Sequence, residues 1–344
     1  MSGQPAGDAW RALVAFTTSN RGVYAKRSLP HLARACLSDP RLDLVVALDG
    51  DDPETRAVCA QWHIPLIYSE AREGVGLSKN RVLKRFPDYD YYFFLEDDVE
   101  VLDGAVFARH VALMRTSGIH HMSLFDYAEG RGLRSETSVL GQRLVHFSYG
   151  SAEFNAFTRE GIQKVGGWHP LFAQYRRWGH TEHSYRFPRN DLAPAPFNVA
   201  VELAGLCIRH RPPSVTPGIG LATLDADQIA APERELMSQA LSHVPLQTLA
   251  PYHVENQPGR PAAELAQLVA RSRNRYPLLR GADWRHAQGD YLVWRFETSR
   301  APARRVAALV LAGLLHPSGI ALRHAVKIRL QKGLRRGADM PIEE

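Results

Sequence analysis

The chain has 344 residues, of which 45 % are apolar and 23 % charged, a composition typical of globular proteins that argues against wholesale disorder. This length fits one α/β domain of about 200–250 residues with appendages. Three scattered cysteines without a CxxC pair argue against a disulfide framework and favour a cytoplasmic protein. No apolar run reaches the ~20 residues of a membrane span, and the polar residues 1–7 do not resemble a signal peptide.

The net charge of +6 suits nucleic acid, a membrane surface or anionic substrates as partners. The basic residues concentrate between Ala301 and Arg336, whereas acidic clusters lie in the middle of the chain. Zinc-finger spacing and RNP-like aromatic–glycine patterns are absent from the sequence. We therefore expect no nucleic-acid partner.

Short apolar runs alternate with helix-like segments through the first two-fifths of the chain. The runs that predict strands are Ala12–Phe16, Leu42–Leu48, Ile64–Tyr68 and Tyr91–Leu95. The segments that predict helices are Val23–Leu37, Glu54–Trp62 and Leu77–Phe86. Buried strands separated by helices indicate a parallel sheet built from βαβ units.

Polar or acidic clusters follow these strands at their carboxyl ends, as TTSNRG, DGDD and EDD. Ligands bind at that edge of an open α/β sheet, although a single such cluster would be read as ordinary loop. The EDD cluster, Glu96–Asp97–Asp98, is the most informative because three adjacent carboxylates repel one another unless a cation neutralises them. Hard divalent cations take such oxygens together with substrate phosphate. The alternative is a helix N-terminus, where Asp is favoured.

Six segments together resemble the GT-A glycosyltransferases of the large, mostly inverting family 2. In chain order they are FTTSNR, LDGDD, GLSKNRVL, EDDVEV, VGGWHPLF and WGHTEHSYR, and they extend from about Leu13 to His210. The resemblance implies a Rossmann-like, mostly parallel sheet flanked by helices and a nucleotide diphosphate sugar as donor. It implies donor-binding roles for Thr17, Thr18, Asn20, Arg21, Asp49, Asp51, Lys79, Asn80, Glu96 and Asp97.

The resemblance further implies a metal site for Mn²⁺ or Mg²⁺, with Asp98 as the anchoring ligand. Glu96 departs from the family's DxD element, in which the first acid is Asp. His210 is a second candidate ligand because it follows a strand-like apolar run, Val201–Ile208, and imidazole is a reasonable Mn²⁺ ligand. The alternative is a partly buried histidine without a metal.

The segment WGHTEHSYR carries the catalytic acid in the family that it resembles. Here the usual Glu-Asp pair is replaced by His-Thr-Glu-His. We predict Glu182 as the base that takes the proton from the acceptor hydroxyl, with His180 and His183 as alternatives. Glu182 could instead form a salt bridge with Arg177 or Arg186.

The predicted domains are 1–215 for donor and acceptor binding, 216–300 as an extension of unclear role, and 301–344 as a basic tail. The donor half covers about 10–100 and the acceptor half about 101–215, and the extension is expected to be helical. From Ile320 to Arg336 the tail has the pattern of a basic amphipathic helix, which predicts peripheral contact with an anionic membrane. The alternative is a surface helix packed on the domain.

The expected function is transfer of a sugar from a nucleotide diphosphate sugar to an acceptor hydroxyl, metal-assisted and inverting. A cytoplasmic location at the inner membrane face would suit a cell-surface or lipid-linked glycan acceptor. Two other classes stay open: a sugar-phosphate nucleotidyltransferase and a non-catalytic nucleotide- or glycan-binding relative. TTSNRG lacks the Gly-rich phosphate loop that the nucleotidyltransferase would need.

Overall fold

A computed structural model describes residues 10–125, 130–151, 153–175, 179–209 and 239–255, all of which belong to one compact unit. His210, Arg177 and the basic tail 301–344 lie outside these residues. Among the helices of the described residues, none is both long and apolar enough to cross a membrane.

The strands of the described residues are β1 (Ala12–Thr18), β2 (Leu42–Asp49), β3 (Leu66–Ser69), β4 (Tyr91–Glu96), β5 (Val99–Val101), β6 (His121–Leu124), β7 (Arg131–Val139), β8 (Gln142–Tyr149), β9 (Phe154–Thr158), β10 (Phe197–Ala200), β11 (Cys207–Arg209) and β12 (His253–Glu255). The helices are α1 (Gly22–Ser38), α2 (Pro53–Gln61), α3 (Val75–Arg85), α4 (Ala105–Ser117), α5 (Arg159–Val165), α6 (Pro170–Tyr175), α7 (Gly179–Arg189) and a 3₁₀ helix (Val201–Leu206).

The central sheet has seven strands in the order β12-β3-β2-β1-β4-β9-β6. Strands β3, β2, β1 and β4 pair in parallel, and β9 and β12 run antiparallel to their neighbours. The predicted α/β architecture, a mostly parallel Rossmann-like sheet flanked by helices, is therefore confirmed. Each of the four predicted strands and three predicted helices lies within two residues of its expected bounds.

Both faces of the central sheet are buried. On β1, Val14 and Phe16 pack into one apolar cluster, whereas Leu13 and Ala15 pack into the other. A strand that is covered on both sides has no position for a solvated side chain. This is why the first strands read as continuous apolar runs in the sequence.

A smaller sheet in the order β10-β8-β7 and the pair β11–β5 complete the described fold. The prediction of a single strand over Val201–Ile208 was wrong. The 3₁₀ helix occupies most of this run, and β11 begins at Cys207. Two features break the extended run. The Glu202 carboxylate accepts a hydrogen bond from the Arg143 amide, and Gly205 has no side chain to pack.

Residues 239–255, which we call the strap, belong to the extension expected to be helical. The strap contains no helix; it is extended or turned, Val244 bridges to Gly166, and β12 pairs antiparallel with β3. The strap itself is therefore not helical, and the rest of the extension 216–300 lies outside the described residues. Two side chains hold the strap backbone. Asn80 donates to the carbonyl of Gln247, and Arg189 donates to that of Leu241.

Candidate functional site

The chain reverses its direction of travel through the sheet at β1. From β1 the chain adds β2 and β3 on one side, and it then returns to place β4 on the other. The carboxyl ends of strands at such a switch point bound the crevice in which open α/β sheets bind ligands. We call this edge the rim, formed by the residues at the ends of β1, β2 and β4.

Asp97 joins the end of β4 to the end of β1. Its carboxylate accepts hydrogen bonds from the Thr18 hydroxyl at 2.7 Å and from Arg21 Nη1 at 2.9 Å, and its carbonyl accepts one from Ser28. Burial raises the pKa of Asp97, although Arg21 and Thr18 act in the opposite direction. Asp97, predicted to bind the donor, is therefore engaged within the protein and holds the rim together.

Asp49 fixes the loop that leads into α3. Its two carboxylate oxygens accept hydrogen bonds from the amides of Glu73 at 2.7 Å and Gly74 at 2.9 Å. Gly74 has a φ of 95°, a conformation that favours glycine. The predicted nucleoside contact of Asp49 would have to share its oxygens with these amides.

A buried ion pair, Glu73–Arg81, supports the same loop from behind. Arg81 also donates to the carbonyl of Leu48, and burial lowers its pKa. The other oxygen of Glu73 accepts both strap amides of Leu249 and Ala250, at 2.6 Å each. Sequence reasoning missed this pair because nothing in the local pattern links Glu73 to the strap.

Lys79 belongs to α3, and its side chain lies beside the end of β4, where it pairs with Glu96. Its ammonium is 3.6 Å from the Glu96 carboxylate and 5.4 Å from the centre of the Trp168 ring, while its side chain is only 2 % exposed. The Glu96 side chain is 35 % exposed and therefore accessible to a ligand. The structure thus brings together two of the predicted donor-binding residues.

The predicted donor-binding role of Asn80 is contradicted by its bonding. Its amide donates to the carbonyls of Trp168 and Gln247 at 2.9 Å, and its oxygen accepts from the Trp168 amide at 2.8 Å. These bonds use both of its N–H groups. Asn80 is a fully buried clamp that positions Trp168.

The remaining predicted donor residues differ in accessibility. Thr17 is buried and its hydroxyl donates to the carbonyl of Leu95. Asn20 is exposed with a φ of 52°, and Asp51 is 45 % exposed and pairs with Arg56. Within the predicted donor-binding set, the residues whose polar side chains a ligand can reach are Asn20, Arg21, Asp51 and Glu96.

Glu182, predicted as the general base, is not placed to act as one. Its side chain is 1 % exposed, and both oxygens accept hydrogen bonds from Arg186, which is fully buried. Arg186 also donates to the carbonyls of Val165 and Gly167. The salt-bridge interpretation therefore holds, with Arg186 as the partner, because a carboxylate enclosed by its counter-ion cannot reach an acceptor hydroxyl.

His183 is likewise part of the core. Its ring is fully buried and stacks on Trp168, with 4.1 Å between centroids and a 14° interplanar angle. Its Nε2 hydrogen-bonds the Gly166 carbonyl at 3.0 Å. Burial lowers its pKa well below the ordinary value. We therefore assign His183 to the support of Trp168 rather than to proton transfer.

His180 is the member of the predicted catalytic trio that is half-buried rather than enclosed. Burial lowers its pKa to about 4, and the charges of Glu96 and Lys79 both act on it. Its ring lies 6.3 Å from that of Phe197. His180 thus sits at the rim as a neutral imidazole, which can accept a proton.

The rim offers carboxylate oxygens of the kind that Mn²⁺ and Mg²⁺ take. Asp98 is 6 % exposed in the turn between β4 and β5, and Glu96 precedes it by two residues. Within the described ranges, no group of three or more His, Cys, Asp or Glu side chains is preformed to hold a metal. That does not conflict with the fit, since Mg²⁺ commonly uses one or two carboxylates plus substrate phosphates.

The second predicted ligand, His210, lies one residue beyond the described part of this region. Arg209 pairs with Val99, the residue that directly follows Asp98. Strand β11 therefore ends opposite the residue that follows Asp98.

No protein-family model and no curated protein matches the chain. Solved structures do. The mannosyltransferase PcManGT from Pyrobaculum calidifontis, in complex with GDP-Man and Mn²⁺, is 13 % identical with a TM-score of 0.43, over 96 % of this chain and 84 % of that one. TarS 1–349 from S. aureus, in complex with UDP, is 11 % identical with a TM-score of 0.48, over 97 % and 94 %.

A glucosyl-3-phosphoglycerate synthase from Mycobacterium tuberculosis, in complex with Mn²⁺, UDP and glucosyl-3-phosphoglycerate, is 12 % identical with a TM-score of 0.42, over 75 % of this chain and 94 % of that one. All three TM-scores lie below 0.5 and all three identities below 15 %, so nothing about this chain is concluded from these likenesses. The function has to be inferred from the side chains at the rim.

Proposed function

We propose that the protein is a glycosyltransferase that moves a sugar from a nucleotide diphosphate sugar to an acceptor hydroxyl, with inversion. The observation that carries the proposal is the position of His180, which is half-buried in the first turn of α7 and lies within electrostatic range of the Glu96–Lys79 pair. Proton acceptor, carboxylates and cations meet there at the ligand edge of a Rossmann-like sheet. This combination suits the transfer of an activated sugar, in which the acceptor loses a proton and the diphosphate leaves with negative charge.

The donor would lie across the ends of β1, β2 and β4. Arg21, which is 27 % exposed, would contact the diphosphate, and the buried Lys79 would add positive charge through the field that it creates at Glu96. Asn20 and Asp51 supply exposed polar groups. Four buried residues would not contact the donor but would hold the rim in place through internal hydrogen bonds: Thr17, Thr18, Asp97 and Asn80. Asp49 orders the loop before α3 against which the nucleoside would rest.

Asp98 and Glu96 would hold a divalent cation, Mn²⁺ or Mg²⁺, with His210 as a further proposed ligand. When bound, the cation would stabilise negative charge on the departing nucleoside diphosphate. Lys79 and Arg21 pair with Glu96 and Asp97 and so moderate the repulsion within the acidic cluster.

His180 is our proposed general base, in place of Glu182. As the acceptor oxygen bonds to the anomeric carbon, the carbon–oxygen bond to the diphosphate breaks and the hydroxyl proton passes to His180. Its pKa of about 4 leaves the imidazole unprotonated at neutral pH, but a base of higher pKa would accept the proton more readily, so the assignment rests on the position of His180 and not on its pKa. Glu182, His183 and Arg186 serve this step indirectly, by fixing the turn that carries Trp168.

The test is a panel of UDP-, GDP-, dTDP- and CDP-sugars, each with and without Mn²⁺, scored by thermal shift and by release of the nucleoside diphosphate. We expect one base to bind, more tightly with Mn²⁺, and to be turned over. A protein that binds none of them would contradict the proposal. Binding without turnover would favour the non-catalytic relative.

Peripheral contact with an anionic membrane, near a cell-surface or lipid-linked acceptor, stays a proposal from the sequence of 301–344. The supporting feature is the basic amphipathic pattern, because Arg and Lys are attracted to anionic lipid. Sedimentation with phosphatidylserine vesicles tests it. The full chain should bind at low salt and less at high salt. A chain that ends before Gly319 should not bind, and failure of the full chain to bind would contradict the proposal.

A further inference from the structure

Two tyrosines form an aromatic surface next to the rim. Tyr149, the last residue of β8, is 47 % exposed, and Tyr185 of α7 is half-buried. Their rings lie 6.1 Å apart at an angle of 61°, and their side chains are hydrogen-bonded. The pair therefore presents rigid apolar faces with hydroxyls at the edge, and the proposed transfer step does not use it.

Two arginines flank this pair. The Arg189 guanidinium lies 5.7 Å from the centre of the Tyr185 ring and donates to the carbonyl of Leu241, while Arg134 Nε donates to the Ser148 hydroxyl at 2.6 Å. Ser148 directly precedes Tyr149, so both arginines contact the tyrosine pair or its chain neighbour. Burial raises the pKa of Tyr185, and the charges of both arginines lower it. Among the described residues, neither arginine has a carboxylate within salt-bridge distance.

The surface lies close to the proposed base and metal. Tyr149 is four residues before Glu153, whose carbonyl accepts the Glu96 amide at 2.7 Å, so at most about 14 Å of chain separates them. Tyr185 is five residues from His180 on α7, or about 7.5 Å along the helix axis. A glycan of a few sugars could span that distance from the transfer site.

We propose that Tyr149, Tyr185, Arg134 and Arg189 form a binding surface for an acidic acceptor glycan, which rests on the proposed transferase function. The aromatic rings would pack against the C–H face of a sugar ring. The guanidinium groups would hold its phosphate or carboxylate, since their planar donors match both anions. This narrows the acceptor from any hydroxyl-bearing glycan to one that carries negative charge.

The experiment measures glycan binding to the full chain without donor, by saturation-transfer NMR. Three tetramers are the probes: oligogalacturonate for carboxylate, glycerol phosphate for phosphate, and maltotetraose as the neutral control. We expect one or both anionic tetramers to bind more tightly than maltotetraose. Arg134→Gln should weaken that binding about tenfold, because a charge-assisted hydrogen bond is lost. Tyr149→Ala should weaken both anionic and neutral binding.

Arg143→Gln is the matched control, since it removes the same charge at the far end of the β7–β8 hairpin. Equal weakening by Arg143→Gln and Arg134→Gln would mean that net charge alone attracts the glycan, and it would overturn the proposal. No preference for either anionic tetramer would also overturn it. Anionic binding without turnover of any nucleotide sugar would support the surface and contradict the transferase.

Discussion

Two pairs of acidic and basic residues near Trp168 are similar in residue type but differ in the exposure of the carboxylate. In the core, Glu182 and Arg186 are both almost fully buried and all their charged atoms are engaged. At the rim, Lys79 is equally buried, but its partner Glu96 is 35 % exposed. The first pair can only support structure, whereas the second presents a carboxylate to a ligand.

The same contrast separates neighbouring residues of one helix. Glu182 and His183 point into the protein, while His180, in the first turn of α7, stays half-buried beside Glu96 and Lys79. A proton acceptor needs access to its substrate, which the enclosed Glu182 lacks and the half-buried His180 has. Our proposal of His180 as the base therefore follows from exposure and not from the acidity of the residue type.

The largest expected effect tests the rim carboxylates. Asp98→Asn should abolish the Mn²⁺-dependent part of nucleotide binding, because an amide oxygen carries no charge to hold the cation. Isothermal titration of the preferred nucleoside diphosphate with and without Mn²⁺ measures it. Asp90→Asn is the control, since Asp90 precedes the other end of the same strand. Unchanged Mn²⁺ dependence in Asp98→Asn would remove the metal from the rim.

The second effect sharpens the contrast within α7. His180→Ala should lower kcat by about 10²–10⁴-fold, the usual range for a lost general base, with little change in donor affinity. His120→Ala, a half-buried histidine bonded to Thr158 at the opposite edge of the sheet, should leave kcat unchanged. Near-normal turnover in His180→Ala would return the base to another residue.

The third effect concerns stability rather than chemistry. Glu182→Gln leaves Arg186 as a buried charge without its counter-ion, which typically costs about 3–5 kcal/mol of unfolding free energy. Glu160→Gln breaks an exposed pair with Lys164 at the same spacing, and such pairs are worth about 0.3–0.5 kcal/mol. Urea unfolding of both variants gives the comparison. A stable Glu182→Gln protein with collapsed kcat would instead restore Glu182 as the base.

The sheet was predictable from the sequence because its chemistry is local. Strands covered on both faces, such as β1 and β4, must be continuously apolar, and polar residues can begin only where the strand leaves the core. The position of the rim followed from that boundary. Asp98 and Glu96 were predicted as site residues in this way, because they directly follow a strand, whereas Lys79 was predicted from the resemblance of GLSKNRVL to family 2.

The hydrogen-bond partners of individual side chains were not predictable, because they depend on contacts between distant segments. The Asn80 amide donates to the carbonyls of Trp168 and Gln247, which lie 88 and 167 residues away. Glu73 is engaged by strap amides 176 residues along the chain. Glu182 is the exception: its salt bridge with Arg186 was an alternative in the sequence analysis, because Arg186 follows at i+4 on the same helix face.

The smallest effect extends the comparison to a buried titratable group with no role at the rim. His110 on α4 is fully buried, its Nδ1 contacts the Val106 carbonyl at 2.8 Å, and its Nε2 has no partner among the described residues. Burial lowers its pKa to about 4, below the ordinary 6.5. Between pH 4 and pH 6.5, His110 is therefore protonated in the unfolded chain but neutral in the folded protein. The contribution of His110 to the free energy of unfolding is complete above about pH 6.5 and is lost as the pH drops towards 4, by up to about 3 kcal/mol for one such group.

His110→Leu should flatten that decline, whereas His253→Gln, which changes a 53 % exposed side chain, should not. Urea unfolding from pH 7 to 4.5 measures both slopes, and parallel slopes in His110→Leu and the unmodified protein would show that His110 is not the group that titrates.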